Sequence, residues 1–184
     1  MKPIVVEVVR GQIVEARHAA HAVAVRHGTI EESAGDAHFF TAFRSSAKPI
    51  QALPVIRSRP DLEEVEIAIA CASHLARPEQ LDGGSVATRA MRAFPELIRA
   101  PGAADTELMR ALPGWTAKGG AEALLCAASP DGLGVAVKVE DGGGRAVRTA
   151  TAAFLGRLGL DPGPLAEVPL ENSRGETVGL IRAS

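Results

Sequence analysis

Residues 4–17, with the sequence IVVEVVRGQIVEAR, decide the fold class of this chain. Two runs rich in valine and isoleucine flank Arg10-Gly11, and such runs on either side of a turn predict an antiparallel pair of strands. Residues 22–26 predict a third extended stretch, so a β-meander is the simplest interpretation. Residues 31–38 are polar and are predicted to form turns.

Beyond this N-terminal region, helical patterns dominate. Residues 49–58 predict a helix that is entered through Pro49 in its first turn and is bent or ended by Pro54. Apolar periodicity predicts further helices at residues 63–72, 85–94, 106–112 and 145–158, the last closed by Gly159.

Strand patterns return toward the C-terminus. The alternation in residues 132–139 predicts a strand, residues 141–144 predict a turn, and Ser173-Arg174-Gly175 predicts the turn of a hairpin or edge strand. The Gly-Gly pair in residues 115–122 matches no regular element. Strands at both ends with helices between them predict an α+β fold, a sheet with packed helices, in a single domain over residues 1–184.

Composition excludes several classes of partner. The net charge is −2, so neither nucleic acid nor an anionic membrane is expected to bind. No apolar run approaches the roughly 20 residues that a membrane-spanning helix needs. The N-terminus lacks the apolar core and cleavage site of a signal peptide, which leads us to expect a cytoplasmic protein.

The strongest local signal for chemistry is Ser45-Ser46-Ala47-Lys48. A Ser-x-x-Lys pattern at a helix start places a hydroxyl and an amine one turn apart on the same face. The amine can then accept the hydroxyl proton, and the helix N-terminus adds backbone N–H donors for an oxyanion. The alternative is an exposed helix cap. Arg44, just before the serines, is either a clamp for a substrate carboxylate or a surface residue.

Two later segments add candidate residues. Ser73-His74 ends a predicted hydrophobic helix, where a polar pair is either a cap or part of a site. Lys118 precedes Gly119 and Gly120, and glycines allow a backbone to approach a ligand closely. The order Ser-x-x-Lys, serine, Lys-x-Gly matches the penicillin-recognising acyltransferases and serine β-lactamases, although their Ser-Asp-Asn element is absent.

Histidine and cysteine give no metal site. His18 and His21 are three residues apart in a predicted strand, which places them on opposite faces. Cys71 and Cys126 lie far apart in apolar runs and are expected to be buried free thiols. We therefore expect no metal and no cofactor.

Together these segments resemble the class 3 (rhizobial-type) L-asparaginases. The similar segments follow one another in order: residues 8–11 with 14, 15 and 18; residues 44–49 with 51–54; residues 70–74; residues 117–122; and residues 135–139 with 141 and 142. The tail, residues 171–179, also resembles the end of that family. The resemblance implies a fold like that of serine β-lactamases and hydrolysis of L-asparagine, a small-molecule amide, to L-aspartate and ammonia.

The resemblance also implies roles for individual residues. Ser45 is similar in position to the nucleophilic serine and Lys48 to its partner, while Ser73 and Lys118 match the second serine–lysine pair. Arg44 would hold the substrate carboxylate. His74, Gly119 and Gly120 belong to the same motifs and are expected to contact the substrate. Which serine attacks is left open.

The chain differs from these relatives in its middle. They have a long block containing a Cys-Ser-Gly-Lys-His motif and an Asp-Gly-Cys motif, which supply a zinc site and substrate contacts. Here residues 85–94 follow shortly after Ser73-His74, and neither motif exists. The chain is therefore interpreted as a shortened form that lacks the zinc-binding block.

Three functions remain compatible with this loss. The serine–lysine residues suffice for an asparaginase-like amidohydrolase, or a wider pocket makes the protein a serine hydrolase of different specificity, or the protein is a non-catalytic pseudo-enzyme that binds a ligand or partner. Loss of the block would also expose former interface surface, which a homodimer would cover.

Overall fold

The computed structural model describes residues 1–63, 66, 67, 71, 104–161 and 163–184. Within this part, eight strands form one antiparallel sheet: β1 (Ile4–Arg10), β2 (Ile13–Arg26), β3 (Thr29–Ala34), β4 (Thr116–Gly120), β5 (Leu124–Ala128), β6 (Leu133–Val139), β7 (Val168–Glu171) and β8 (Thr177–Ala183). The helices are α1 (Lys48–Ser58), α2 (Ala104–Ala111) and α3 (Gly144–Arg157), with 3-10 turns at Arg44–Ala47 and Gly163–Leu165. The predicted α+β class is confirmed. None of these helices is long and apolar enough to cross a membrane.

Strand β2 connects the two halves of the sheet. It is 14 residues long, and its first part, residues 13–20, pairs with β1. Residues 20–26 pair with β6, and residues 22–26 also pair with β3. The strand order β4-β5-β6-β2-β1-β8-β7 follows from these pairings, with β3 beside the second part of β2. A single long strand thus links the N-terminal strands to the hairpin β4–β5.

The core lies between one face of the sheet and α3. Along β6 the residues alternate between buried and half-buried, and Val135, Val137 and Val139 point toward the helix. Phe154 of α3 is fully buried against this face. A second cluster, centred on Leu108 and Leu125, packs α2 and α3 against β4 and β5. Burial of these apolar side chains is the main stabilising contribution, and it fixes the positions of β4 and α2.

Several sequence-based boundaries are confirmed and others are wrong. Helices α2 and α3, strands β1 and β6 and the hairpin β7–β8 are confirmed, with Gly159 in the left-handed region after α3. The two strands predicted at residues 12–17 and 22–26 are one strand. Residues 29–34 form β3 although residues 31–38 were predicted as turn, since Arg26 pairs with Glu31 and edge strands tolerate polar side chains.

The remaining differences concern proline and glycine. Pro54 lies inside α1, which continues to Ser58, so it does not end the helix. Gly119 and Gly120, predicted to lie in no regular element, are part of strand β4. Of the helix predicted at residues 63–72, Glu66, Ile67 and Cys71 are helical and the rest, like residues 85–94, lies outside the described residues.

Gly179 is predicted to be essential for the pairing of β8 with β1. A Cβ at this position would overlap the carbonyl oxygen of Val9 and lie 2.9 Å from Cα of Arg10, both backbone atoms that cannot rotate away. We expect Gly179→Ala to lower the free energy of unfolding by about 1–3 kcal/mol, measured as a lower urea midpoint. Gly156→Ala is the matched control: no atom lies within 4 Å, and it should stabilise α3 by about 0.5–1 kcal/mol. An unchanged midpoint for Gly179→Ala would contradict the pairing.

Candidate functional site

The Ser45-Ser46 pair lies in the 3-10 turn that leads into α1. Ser46 is buried, and both its backbone N–H and its hydroxyl donate to the carbonyl of Phe43. Ser45 is half-buried and lines a cavity. Of the two adjacent hydroxyls, the one on Ser45 is therefore exposed to a ligand. The predicted placement of this motif at a helix start is confirmed.

Arg44 holds a strained backbone conformation directly before Ser45. Its φ is +50°, a region that residues other than glycine rarely adopt. Glu122 and Ala123, in the turn between β4 and β5, also have positive φ, at +63° and +55°. Both residues line the same cavity as Ser45. Strained residues of this kind cluster at functional sites, because the surrounding structure must hold them in place.

Lys118 reaches the cavity from strand β4. Its side chain is 14% exposed, and its Nζ lies 3.7 Å from the carboxylate of Asp105 and 3.2 Å from the carbonyl of Gly119. Asp105 also accepts the backbone N–H of Gly119 at 2.9 Å and that of Thr106 at 2.8 Å. One carboxylate therefore fixes the start of α2 to β4 and provides a charge partner for the ammonium group.

Gly120 brings the 3-10 turn close to strand β4. A Cβ on Gly120 would lie 3.1 Å from the carbonyl oxygen of Phe43, 3.3 Å from Cβ of Arg44 and 3.4 Å from Oγ of Ser46. These separations leave little room for a side chain. Gly120 thus allows the serine turn to pack directly on the strand, whereas the predicted close approach of a ligand to these glycines stays a prediction.

The cavity between these elements has a volume of about 410 Å³, within the range of small-molecule sites. It combines a hydroxyl, an amine, two carboxylates and a glycine-rich wall. Its lining residues include Ser45, Ala104, Asp105, Lys118, Gly119, Gly120, Glu122, Gly142, Gly144 and Val147. Four residues singled out from sequence, Ser45, Lys118, Gly119 and Gly120, therefore meet in one cavity.

Lys48 and Arg44 are not among the residues that line this cavity. Lys48 lines a separate, mostly apolar cavity of about 160 Å³ together with residues of α1, Leu62 and Ile67. The Cys71 thiol lies 3.7 Å from the Lys48 carbonyl oxygen. Arg44 is exposed at the edge of the 3-10 turn. Ser73 and His74 lie outside the described residues, so the second serine of the predicted site stays a prediction.

His18 and His21 lie on opposite faces of β2, as predicted. On the helix side, Nδ1 of His18 lies 2.7 Å from the carboxylate of Asp141, and Nε2 accepts a hydrogen bond from Arg145 at 3.2 Å. The backbone N–H of Gly143 and, to a lesser degree, His18 hold the pKa of Asp141 below its ordinary value. This network fixes the glycine turn that forms one wall of the cavity. Within the described ranges, no three His, Cys, Asp or Glu side chains are grouped as metal ligands.

Cys126 lies beside the site without entering it. It is the register partner of Lys118 across β4 and β5, and it is half-buried next to Ser46. Burial raises the pKa of its thiol, and the Ser46 hydroxyl partly offsets this effect. A thiol held in the neutral form is a poor nucleophile. Cys126 is therefore a packing residue beneath the serine turn.

Sequence reasoning missed Asp105 and Glu122. Asp105 lies in the first turn of α2, where an acidic residue is commonly a helix cap, and only the contact between α2 and β4 places it beside Lys118. Glu122 has no distinctive sequence neighbourhood apart from the preceding glycines. The sequence signal that could have identified Glu122 is its position two residues after Lys118-Gly119-Gly120.

Comparison with known families gives one result. A family model described as L-asparaginase II matches residues 6–85 and, in a second match, residues 84–183. The two matches together cover nearly the whole chain and include every residue that lines the serine–lysine cavity. No curated protein is a significant match.

Proposed function

We propose that this chain, which belongs to the L-asparaginase II family, hydrolyses L-asparagine to L-aspartate and ammonia by acyl transfer to a serine. Family membership supports an asparaginase-like amidohydrolase in general and a small-molecule amide as its substrate. The observation that carries the specific proposal is that Ser45 and Lys118 line the same cavity. A hydroxyl and an amine in one cavity are the minimum that a serine–lysine mechanism needs.

In the proposed reaction, Oγ of Ser45 attacks the carbon of the side-chain amide while a lysine in its neutral amine form accepts the hydroxyl proton and becomes an ammonium. Lys118 is assigned this role because it shares the cavity with Ser45. The C–N bond then breaks, the proton passes to the leaving nitrogen, and ammonia departs. Water hydrolyses the resulting ester and releases aspartate. Arg44, one residue before Ser45, would hold the α-carboxylate. Lys48, Ser73 and His74 stay candidates from the family resemblance.

The carboxylates that line the cavity support a preference for substrates that are amides of amino acids. Asp105 and Glu122 both line it, and a substrate ammonium group next to them would be electrostatically favoured. Asp105 already pairs with Lys118. Glu122 is therefore the carboxylate assigned to the α-ammonium of the substrate.

We also propose that the chain is a shortened form of its family. This proposal is supported by the division of the family match into two parts, which meet at residues 84–85. We take this as the place where the middle block of the relatives would lie. The residues do not fit the zinc site of that block. Its two motifs are absent from the sequence, the Cys71 thiol lies against the Lys48 carbonyl, and Cys126 lies beneath the serine turn. The mechanism above accordingly uses no zinc-bound group. The β-lactamase-like fold and a homodimer stay predictions.

Ammonia release from L-asparagine by the purified protein tests the proposal. We expect turnover with L-asparagine and weaker turnover with L-glutamine, whose side chain is one methylene longer. A Ser45→Ala preparation, purified in the same way, is the blank for contaminating asparaginase. Absence of turnover with both amides would overturn the asparaginase assignment.

The second candidate function is a serine hydrolase of wider specificity. The cavity volume of about 410 Å³ favours it, because a site of this size accommodates ligands larger than an amino acid. Turnover of small esters or larger amides in the absence of asparagine hydrolysis would support this candidate. Absence of any turnover, together with ligand binding, would indicate a non-catalytic binding protein.

A further inference from the structure

The segment from residue 35 to residue 43, here called the strap, connects β3 to the 3-10 turn that carries Ser45. It crosses the face of the sheet opposite α3. A small cavity of about 70 Å³ lies between strap residues, among them Asp36 and Phe39, and sheet residues of β2, β5 and β6. The strap ends where the carbonyl of Phe43 packs on Gly120 of β4. The strap therefore leads directly into the turn that places Ser45 in the serine–lysine cavity.

His21 of β2 contacts the beginning of the strap in three ways. Its Nδ1 accepts the backbone N–H of Asp36 at 2.9 Å. Its ring stacks on the ring of Phe39, with 4.3 Å between centroids and 21° between planes. The chain also passes directly over the imidazole at Gly35, where a Cβ would overlap Nδ1 and lie 3.1 Å from Cε1. His21 is 9% exposed, so the strap covers it almost completely.

These contacts define the protonation state of His21. Because Nδ1 accepts a hydrogen bond, the ring proton is on Nε2, which lies 2.6 Å from the carboxylate of Glu140 and donates to it. Glu140 follows β6, so the imidazole links the strap to the sheet. A second proton on Nδ1 would face the N–H of Asp36, and a donor cannot bond a donor.

The other described contacts in the first part of the strap hold it less firmly against the sheet than His21 does. Phe39 N–H donates to the Asp36 carbonyl, and His38 N–H to the Asp36 carboxylate, so both bonds lie within the strap. Phe40 is 97% exposed and Phe43 is 59% exposed, so these two rings contribute little anchoring. Gly35 N–H donates to the Lys2 carbonyl and fixes only the first residue.

We propose that neutral His21 is a positioning residue for Ser45: it anchors the strap, and its protonation releases the strap and withdraws Ser45 from the cavity. This inference rests on the function proposed above. Three charged groups face the imidazole or its cavity: Glu140 from the end of β6, Asp36 from the strap and Lys138 from β6. The hydrogen bond from the Asp36 N–H to Nδ1 requires the neutral ring. Histidine is the side chain whose charge ordinarily changes between about pH 5 and 8.

Hydrogen–deuterium exchange of a peptide covering the strap, read by mass spectrometry and corrected for the intrinsic pH dependence, tests this anchor. In the wild type, we expect strap protection to fall about tenfold between pH 8 and pH 5.5, while protection of β6 stays constant. His21→Phe keeps the ring but has no acceptor, so it should lose about tenfold in strap protection at pH 8. His21→Asn offers an acceptor near the position of Nδ1 and does not titrate, so its strap protection should not depend on pH.

His27→Asn is the matched control, because His27 is exposed in the β2–β3 turn at a positive φ that asparagine tolerates. Its strap protection should match that of the wild type at both pH values. Equal strap protection in wild type and His21→Phe, or wild-type protection that does not change with pH, would overturn the anchor. A loss in β6 equal to that in the strap would overturn it as well, since unfolding would then be global. If His21→Phe does not fold, the pH dependence of strap protection in the wild type, compared with that in His21→Asn, still tests the anchor.

The catalytic part of the proposal is read from turnover. Any loss of kcat from protonation of the general base is common to wild type and His21→Asn. We expect kcat for asparagine to fall about tenfold more in the wild type than in His21→Asn between pH 8 and pH 5.5, with a smaller change in KM. If strap protection changes with pH and kcat shows no difference between wild type and His21→Asn, the positioning role is overturned. A wild type without turnover whose strap still responds as expected would overturn the proposed function and leave the anchor supported. Turnover with an unresponsive strap would overturn the anchor alone.

Discussion

Ser45→Ala is expected to lower kcat/KM for L-asparagine by at least about 10³-fold, because it removes the proposed nucleophile from a cavity in which no other described lining residue carries a hydroxyl. The neighbouring Ser46 cannot replace it. Ser46 is buried and its hydroxyl donates to the carbonyl of Phe43. Steady-state ammonia release, with the unfolding midpoint measured in parallel, checks this result.

Two serine controls separate chemistry from structure in that experiment. Ser46→Ala should lower stability by about 0.5–1.5 kcal/mol through the lost hydrogen bond and leave most of the activity. Ser173→Ala, in the exposed β7–β8 turn, should change neither property. Full activity in Ser45→Ala, or loss of activity only in Ser46→Ala, would contradict the assignment and identify another nucleophile.

The parts of the fold that were predictable from sequence are those whose own burial pattern is strong. Strand β6 alternates strictly along Leu133–Val139, and α3 carries a helical apolar face that Phe154 completes. Such segments form the core, so local pattern and tertiary structure agree. Strands β3 and β4 were missed for the opposite reason. Most of their residues are polar or glycine, and they are strands because β2 and β5 pair with them at the edge of the sheet.

The same distinction holds for the site. Ser45 and Lys118 could be selected from sequence because each lies in a distinctive motif, and they do share a cavity. The spacing Ser-x-x-Lys also predicted that Lys48 would lie beside Ser45, and this pairing stays a prediction; Lys48 lines the cavity beside α1. Asp105 and His21 could not be selected. Their partners are distant in sequence, with Asp105 bonded to Gly119 and His21 to Glu140.

Lys118→Met is expected to lower kcat by about 10²–10⁴-fold, the usual contribution of a positioned proton-transfer group. Methionine keeps the length and the apolar stem of the side chain and removes only the amine, so the fold should be retained. Lys2→Met is the control, since Lys2 is exposed at the N-terminus. Equal activity of Lys118→Met and wild type would show that Lys48 or another base acts at Ser45.

Two substitutions of Asp105 separate its role as charge partner of Lys118 from its role as acceptor of backbone hydrogen bonds. The Asp105 carboxylate is 3.7 Å from Nζ and accepts the backbone N–H groups of Gly119 and Thr106. Asp105→Asn retains an amide oxygen that can accept one of these bonds, so we expect nearly wild-type stability. We expect kcat to fall about tenfold, because the ammonium that forms when Lys118 accepts the Ser45 proton loses its charge partner. Asp105→Ala leaves both N–H groups without this acceptor and should in addition lower stability by about 1–3 kcal/mol. If both variants lost stability equally, or if neither lowered kcat, Asp105 would be a purely structural link between α2 and β4, and the reactivity of Lys118 would have to come from other neighbours.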